Sequence, residues 1–171
     1  MAGPLKAQSA SSAGSDNRGW IETSNQYTHV LLAVVFKHHP EFASRQGLAD
    51  YDTKISQPSW ADQDAERHET EAVLAKLKSA SGEHQQEEVE QDLKIMVRKV
   101  GLDFQQEDFE RAHEVPFLNA SQIVFQGVQY LLDEQTPSQR RPAAVERIKK
   151  YSGLEGDYHP ITEILKQRAL E

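Results

Sequence analysis

The sequence contains no cysteine, which excludes a disulfide scaffold, thiolate zinc sites, a redox sensor and a cysteine nucleophile. Long apolar runs are missing too. The most apolar stretch, Val30-Leu31-Leu32-Ala33-Val34-Val35-Phe36, falls far short of the ~20 residues a bilayer requires, so no membrane partner is expected. The opening residues, Met1 to Ala10, lack the apolar core of an export leader; the chain reads as not exported, or as one whose leader is not in this sequence. Positive charge is scarce: 19 Lys and Arg face 27 Asp and Glu, a formal −8. Nucleic-acid affinity depends on cations that neutralise phosphates, so no nucleic-acid partner is expected. Strand-like alternation and Asn-Gly hairpin turns are absent, as are a Gly-rich phosphate loop and a Gly-x-Ser-x-Gly elbow.

What is present has helical period. Residues 1–18 are mostly Ala, Ser and Gly with scattered charge and read as a disordered lead-in, leaving 19–171 as a single helical domain. Trp20, Tyr27, Leu31, Val34 and Val35 recur at helical spacing until His38-His39-Pro40 stops the pattern, because the residue before proline avoids the αR region. Pro40 to Gly47 reads as a short helical turn with proline at its start and glycine at its end. After a loop from Leu48 to Pro58, Ser59-Trp60-Ala61-Asp62 opens a capped helix with Ala65, Val73, Leu74 and Leu77 as its apolar positions, closed by Ser81-Gly82. A third long helix is expected from near Glu83 to about Ala112, carrying Val89, Leu93, Met96, Val97, Val100 and Phe104 and passing through Gly101. Asn119 caps a helix holding Ile123, Val124, Val128, Leu131 and Leu132, in which Gly127 marks a close helix contact. The next helix begins either at Pro137 with a kink at Pro142, or at Pro142 itself after a loop. A last one runs from Pro160 to the end of the sequence. The expected class is all-α, a bundle of five or six helices. Residues 61–115 hold 15 acidic and 7 basic side chains, while the remainder holds 12 of each, so the whole imbalance sits on the two middle helices.

The candidate chemistry is sparse. A zinc protease helix needs two histidines four apart with a glutamate between them. His68-Glu69-Thr70-Glu71-Ala72 and His113-Glu114-Val115-Pro116-Phe117 each lack the second histidine, so no metal ligand is assigned and both histidines read as surface residues. His38 and His39 are adjacent, diverge by about 100° on a helix, and read as cations at a helix C-terminus. Asp50, Tyr51 and Asp52 form a candidate binding stretch. The two aspartates could act as an acid–base pair, or they could bond loop backbone while Tyr51 packs inward. Arg140 and Arg141, with Arg147, Lys149 and Lys150, form the basic cluster, a candidate anion site or a patch that packs against the acidic middle helices. The acidic stretch from Glu83 to Asp92 reads as a solvated helix face.

Pro40-Glu41-Phe42-Ala43-Ser44-Arg45-Gln46-Gly47-Leu48-Ala49-Asp50-Tyr51-Asp52 resembles the PE-[FW]-A-T-x-x-G-x-x-x-Y-D stretch near the start of the bacterial family called domain of unknown function 885. The order that follows is also similar: a Ser-x-x-Asp-capped helix, a long acidic helix with a central Asp92-Leu93, a Pro-Phe break, and a Thr-Pro-opened segment with Arg147-Ile148-Lys149-Lys150-Tyr151. The likeness spans roughly residues 27–165. The resemblance implies an HExxH-type zinc metallopeptidase, often exported to the periplasm or beyond, with its metal motif in a C-terminal part that this sequence does not reach. Gly47, Tyr51 and Asp52 match the N-terminal signature. No catalytic residue carries over, and zinc is implied only for full-length relatives, with no cofactor in this chain. The expected role is thus a non-catalytic N-terminal segment forming a wall or lid of a substrate channel, partnered by the C-terminal half of the same protein or by self-association through an exposed apolar face. Two other roles remain open, a stand-alone helical interaction module and a hydrolase built on Asp50 and Asp52.

Overall fold

The computed structural model describes residues 18–83 and 85–171. The expected lead-in lies outside the described residues apart from Arg18, which precedes the first helix. Every regular element among the described residues is helical: α1 Gly19–His38, α2 Pro40–Arg45, α3 Trp60–Ser81, α4 Glu87–His113, α5 Ala120–Leu132, α6 Pro142–Tyr151 and α7 Ile161–Leu170, with short 3-10 turns at Ala49–Tyr51 and Ser138–Arg140. The class is all-α, as the sequence pattern requires. The six-residue α2 is the short turn read from Pro40 to Gly47.

Local chemistry sets most of the boundaries. The Ser59 hydroxyl accepts from the Asp62 N–H and the Asn119 side chain from the Gln122 N–H, each satisfying an orphan donor of the first turn. Gly47 has φ of 93°, a conformation glycine adopts without a Cβ penalty, and this lets the chain reverse after α2. The helix after Thr136-Pro137 begins at Pro142, with only a 3-10 turn before it, so Pro142 stands where a missing N–H costs nothing. α4 begins at Glu87 rather than near Glu83 and then runs unbroken through Gly101.

Two groups of helices result. In the first, Val34 of α1, Val73, Leu77 and Ala80 of α3, and Val89 and Leu93 of α4 form one core, with Trp20, Tyr27, Leu31, Met96 and Val97 packed around it. Ala65 is exposed; the buried stripe of α3 starts at Val73. Leu77, Val89 and Leu93 lose essentially all contact with water, worth about 1.5–3 kcal/mol each. In the second group, Leu131 of α5 meets Ala143 and Ala144 of α6, while Tyr151 of α6 joins Ile55, Ile161 and Leu165. Gly127 leaves room for a side chain of α6 against α5, since a Cβ there would lie 2.2 Å from the Tyr151 hydroxyl oxygen. α2 and the 48–58 segment set Phe42 and Tyr51 against Phe36 of α1 and make their polar contacts with Arg140, Arg147, Lys150 and Tyr151 of the second group.

No helix among the described residues is long and apolar enough to cross a membrane.

Candidate functional site

The core of the first helix group occupies only one end of it. α3 contributes Val73 to Ala80 and α4 contributes Val89 to Leu93. At the other end, toward the C-terminus of α1, the three helices leave a groove of about 650 Å³. Its floor is apolar, formed by Leu31, Leu32 and Val35 of α1, Val100 and Phe104 of α4, and Leu118 of the segment after α4. That volume and that lining suit a small ligand or a short peptide.

The rim is ionic and held in place by pairs between helices. Arg67 of α3 lies 4.7 Å from the Phe104 ring and reaches Glu107 at 3.0 Å and Asp108 at 2.7 Å on α4. The Asp108 hydrogen bond raises its pKa above the ordinary arginine value. His39 Nε2 sits 2.9 Å from Glu66, and that hydrogen bond raises the imidazole pKa against the opposing effect of burial. Within α4 itself, Lys99 bonds both oxygens of Asp103 at 2.5 Å. Beside His39, His38 is buried, with Nδ1 3.0 Å from Asp62 and Nε2 3.5 Å from Glu69. The two histidines thus end α1 as the sequence suggested, and each clasps a carboxylate of α3.

A smaller recess of about 120 Å³ shares Gln63, Glu107, Glu110, Leu118 and Arg168 with the groove. Trp60 anchors it. The indole N–H donates to the Arg168 carbonyl at 3.0 Å, and two guanidinium groups, Arg168 and Arg111, lie over the ring at 3.9 and 4.6 Å. Arg111 also pairs with Asp64 at 2.6 Å. One aromatic side chain therefore ties α3, α4 and α7 together at the groove's end.

The residues singled out in the sequence go elsewhere. Asp52 is buried: one oxygen accepts from Arg140 Nε at 2.7 Å, and the other from Arg140 Nη2 at 2.5 Å and the Ser44 hydroxyl at 2.7 Å. Burial alone would raise the Asp52 carboxyl, but the Arg140 and Ser44 hydrogen bonds outweigh it and hold it below the usual carboxylate range. A carboxylate so engaged is a poor general base. Arg140 in turn is raised above its ordinary value by Asp52. Asp50 and Arg141 are exposed and take no part in this cluster. Tyr51 packs its ring against Phe36 at 6.1 Å, and its carbonyl accepts from Arg147 at 3.1 Å.

The basic cluster does not pack against the acidic middle helices. Arg140 goes to Asp52 and Ser44, Arg147 to the Gly127 and Tyr51 carbonyls, and Lys150 to the Thr53 carbonyl at 2.7 Å. The reason is positional: α6 lies on α5 and faces the 44–53 segment, while the acids of α3 and α4 are met by Arg67, Arg111, Lys94, Lys99 and the end of α1.

Sequence reasoning missed Glu41, Ser44, Arg147 and Tyr151 as partners in this buried network. The Tyr151 hydroxyl donates to Glu41 at 2.5 Å, and Glu41 also accepts from the Ser56 N–H at 2.8 Å. Burial, then Glu41, pushes the Tyr151 pKa well up. Arg147 is the largest fully buried side chain, and that burial lowers its pKa. A signal was present: Arg147 stands four residues after Ala143 and four before Tyr151, on the apolar face of α6, where a charge needs a partner. The groove itself, built from three separated helices, has no such local signature.

Among the described residues no group of three His, Asp or Glu side chains is placed to hold a metal ion. Comparison of the chain with protein-family models, with curated proteins and with solved structures gives no match.

Proposed function

We propose that this chain is a non-catalytic helical wall of a substrate channel, with the groove between α1, α3 and α4 as the surface it presents and the catalytic, HExxH-bearing part on another segment. The observation that carries this reading is an uncovered apolar stripe on α4. Ile95, Leu102 and Phe109 recur every seven residues and are 58%, 50% and 58% exposed. Leu102 stands two residues, about 200°, from the buried Val100, so the stripe lies on the side of α4 opposite its packed face. Val115 and Phe117 continue the exposed apolar surface beyond the helix at 82% and 75%. A stripe of this kind on an otherwise charged helix suits docking against a further segment. The resemblance to domain of unknown function 885 supplies the identity proposed for that segment. The stretch that carries the resemblance, Pro40 to Asp52, here supplies Glu41, Ser44 and Asp52 to the buried network, which agrees with a structural role for it.

Two measurements test this reading. The coding sequence downstream of Glu171 is expected to encode an HExxH helix, and a stop codon directly after Glu171 would overturn the proposal. The purified chain is expected to self-associate and bind an apolar dye through the stripe, and the triple variant Ile95→Lys, Leu102→Lys, Phe109→Lys to lose both properties. A second reading, a stand-alone interaction module, draws on the groove being enclosed by this chain's own helices; a monomeric, dye-inert chain would favour it.

A further inference from the structure

We infer that the groove takes an extended peptide of about five residues with apolar side chains and at least one cationic one, the cation seated at Glu110 and Glu114. The inference rests on the reading of the groove as the substrate-facing surface. Length sets the size of the occupant. The α4 wall runs from Lys99 to Glu110, about 16 Å at 1.5 Å per residue, which an extended chain covers in about five residues. Composition sets its character, because the floor of Leu31, Leu32, Val35, Val100 and Phe104 offers nothing but apolar surface.

The sign of the charge follows from what the rim leaves over. Arg67 is held by Glu107 and Asp108, Lys99 by Asp103, and Arg111 by Asp64. Arg168 directs its terminal nitrogens to the Pro58 carbonyl and Gln63. All of these are engaged within the chain, although Arg168 meets only neutral acceptors and keeps its charge unpaired. Carboxylates are nonetheless in surplus, six lining the groove and its recess against four guanidinium or ammonium groups and His39. Glu110 receives only a neutral hydrogen bond, from Gln106 at 2.7 Å, and Glu114 has no ion-pair partner among the described residues. The two stand one turn apart at the end of α4, and both line the recess that joins the groove. A ligand ammonium or guanidinium there would meet two carboxylates, inside the part of the sequence that carries the whole −8.

Fluorescence anisotropy with two labelled pentapeptide amides, Leu-Lys-Leu-Lys-Leu and Leu-Glu-Leu-Glu-Leu, tests this on the full chain. The expected result is binding of the lysine peptide at least tenfold tighter than the glutamate one, weakening as salt rises and falling severalfold in Glu110→Lys, an exposed position whose change leaves the fold intact by circular dichroism. A floor variant, Phe104→Ser, should weaken both peptides. Equal affinity for the two, a preference for the glutamate peptide, indifference to Glu110→Lys, or no binding up to millimolar concentration would each overturn the inference. The channel reading fails separately, on the downstream coding sequence, whichever peptide binds.

Discussion

Gly127 and Gly101 both stand inside long helices, and helix propensity alone predicts the same outcome for alanine at either, a gain of about 1 kcal/mol. The tertiary structure separates them. At Gly101 an added Cβ meets nothing within 4 Å, so Gly101→Ala should gain about 1 kcal/mol and raise the melting temperature by about 2–4 °C for a chain of this length. At Gly127 the same atom would lie 2.2 Å from the Tyr151 hydroxyl oxygen and 3.0 Å from the ring carbon that bears it. Tyr151 has little room to yield. It is 3% exposed, and its hydroxyl donates to Glu41. Displacing it forfeits a hydrogen bond to a charged group, about 1.5–3 kcal/mol, and strains the α5–α6 contact by about 1–3 kcal/mol. After the propensity gain, Gly127→Ala should cost about 1.5–5 kcal/mol, a fall of about 3–20 °C. Urea denaturation followed by far-ultraviolet circular dichroism measures both variants against the parent. Adding Tyr151→Phe to Gly127→Ala removes the closest atom, so the double variant should lose less than the two single losses summed. A neutral or stabilising Gly127→Ala would refute the close approach of α5 and α6 and, with it, the placement of Tyr151 beside Glu41.

Asp52→Ala leaves the part-buried Arg140 guanidinium without its carboxylate and should cost about 3 kcal/mol in urea denaturation, whereas the paired change Asp52→Leu, Arg140→Met should cost less than either single change. Because the folded Asp52 carboxyl is held below its unfolded value of about 3.9, its contribution is present above that pH and lost as pH falls through the folded value; a pH series of urea midpoints should show this loss and Asp52→Asn should flatten it. His39 has the opposite sign. Its pKa is raised by the Glu66 hydrogen bond, so its contribution is complete below about pH 6.5 and disappears as pH rises through the folded value, a dependence His39→Gln should remove from the same series.

The elements were legible because their signals are local. A cap such as Ser59 or Asn119, a proline at a first turn, a glycine that must take positive φ, and an apolar period of three and four all act within a few residues of chain. Where two local signals competed, as at Pro137 and Pro142, both starts were permitted, and contact of Ala143 and Ala144 with Leu131 accompanies the later one. The candidate residues were legible only as types. Asp52 and Arg140 were each visible, but they stand 88 positions apart, and no spacing rule connects residues at that distance. The same distance hid the route of the basic cluster, which a charge count directs to the acidic middle helices and packing directs to the 44–53 segment.

By itself, then, the sequence determined an all-α class, the helix boundaries to within a few residues, the location of the −8 within residues 61–115, and the lack of a zinc-protease helix, since each depends on residue types and short-range period. Only the tertiary structure decided that α1, α3 and α4 close on a core at one end and open into a groove at the other, that Asp52 is consumed by Arg140 while Asp50 stays in solvent, and that Glu110 and Glu114 have no ion-pair partner among the described residues. Those are properties of which helix faces meet, and faces are chosen by the fit of side chains from distant parts of the chain, which no local pattern encodes.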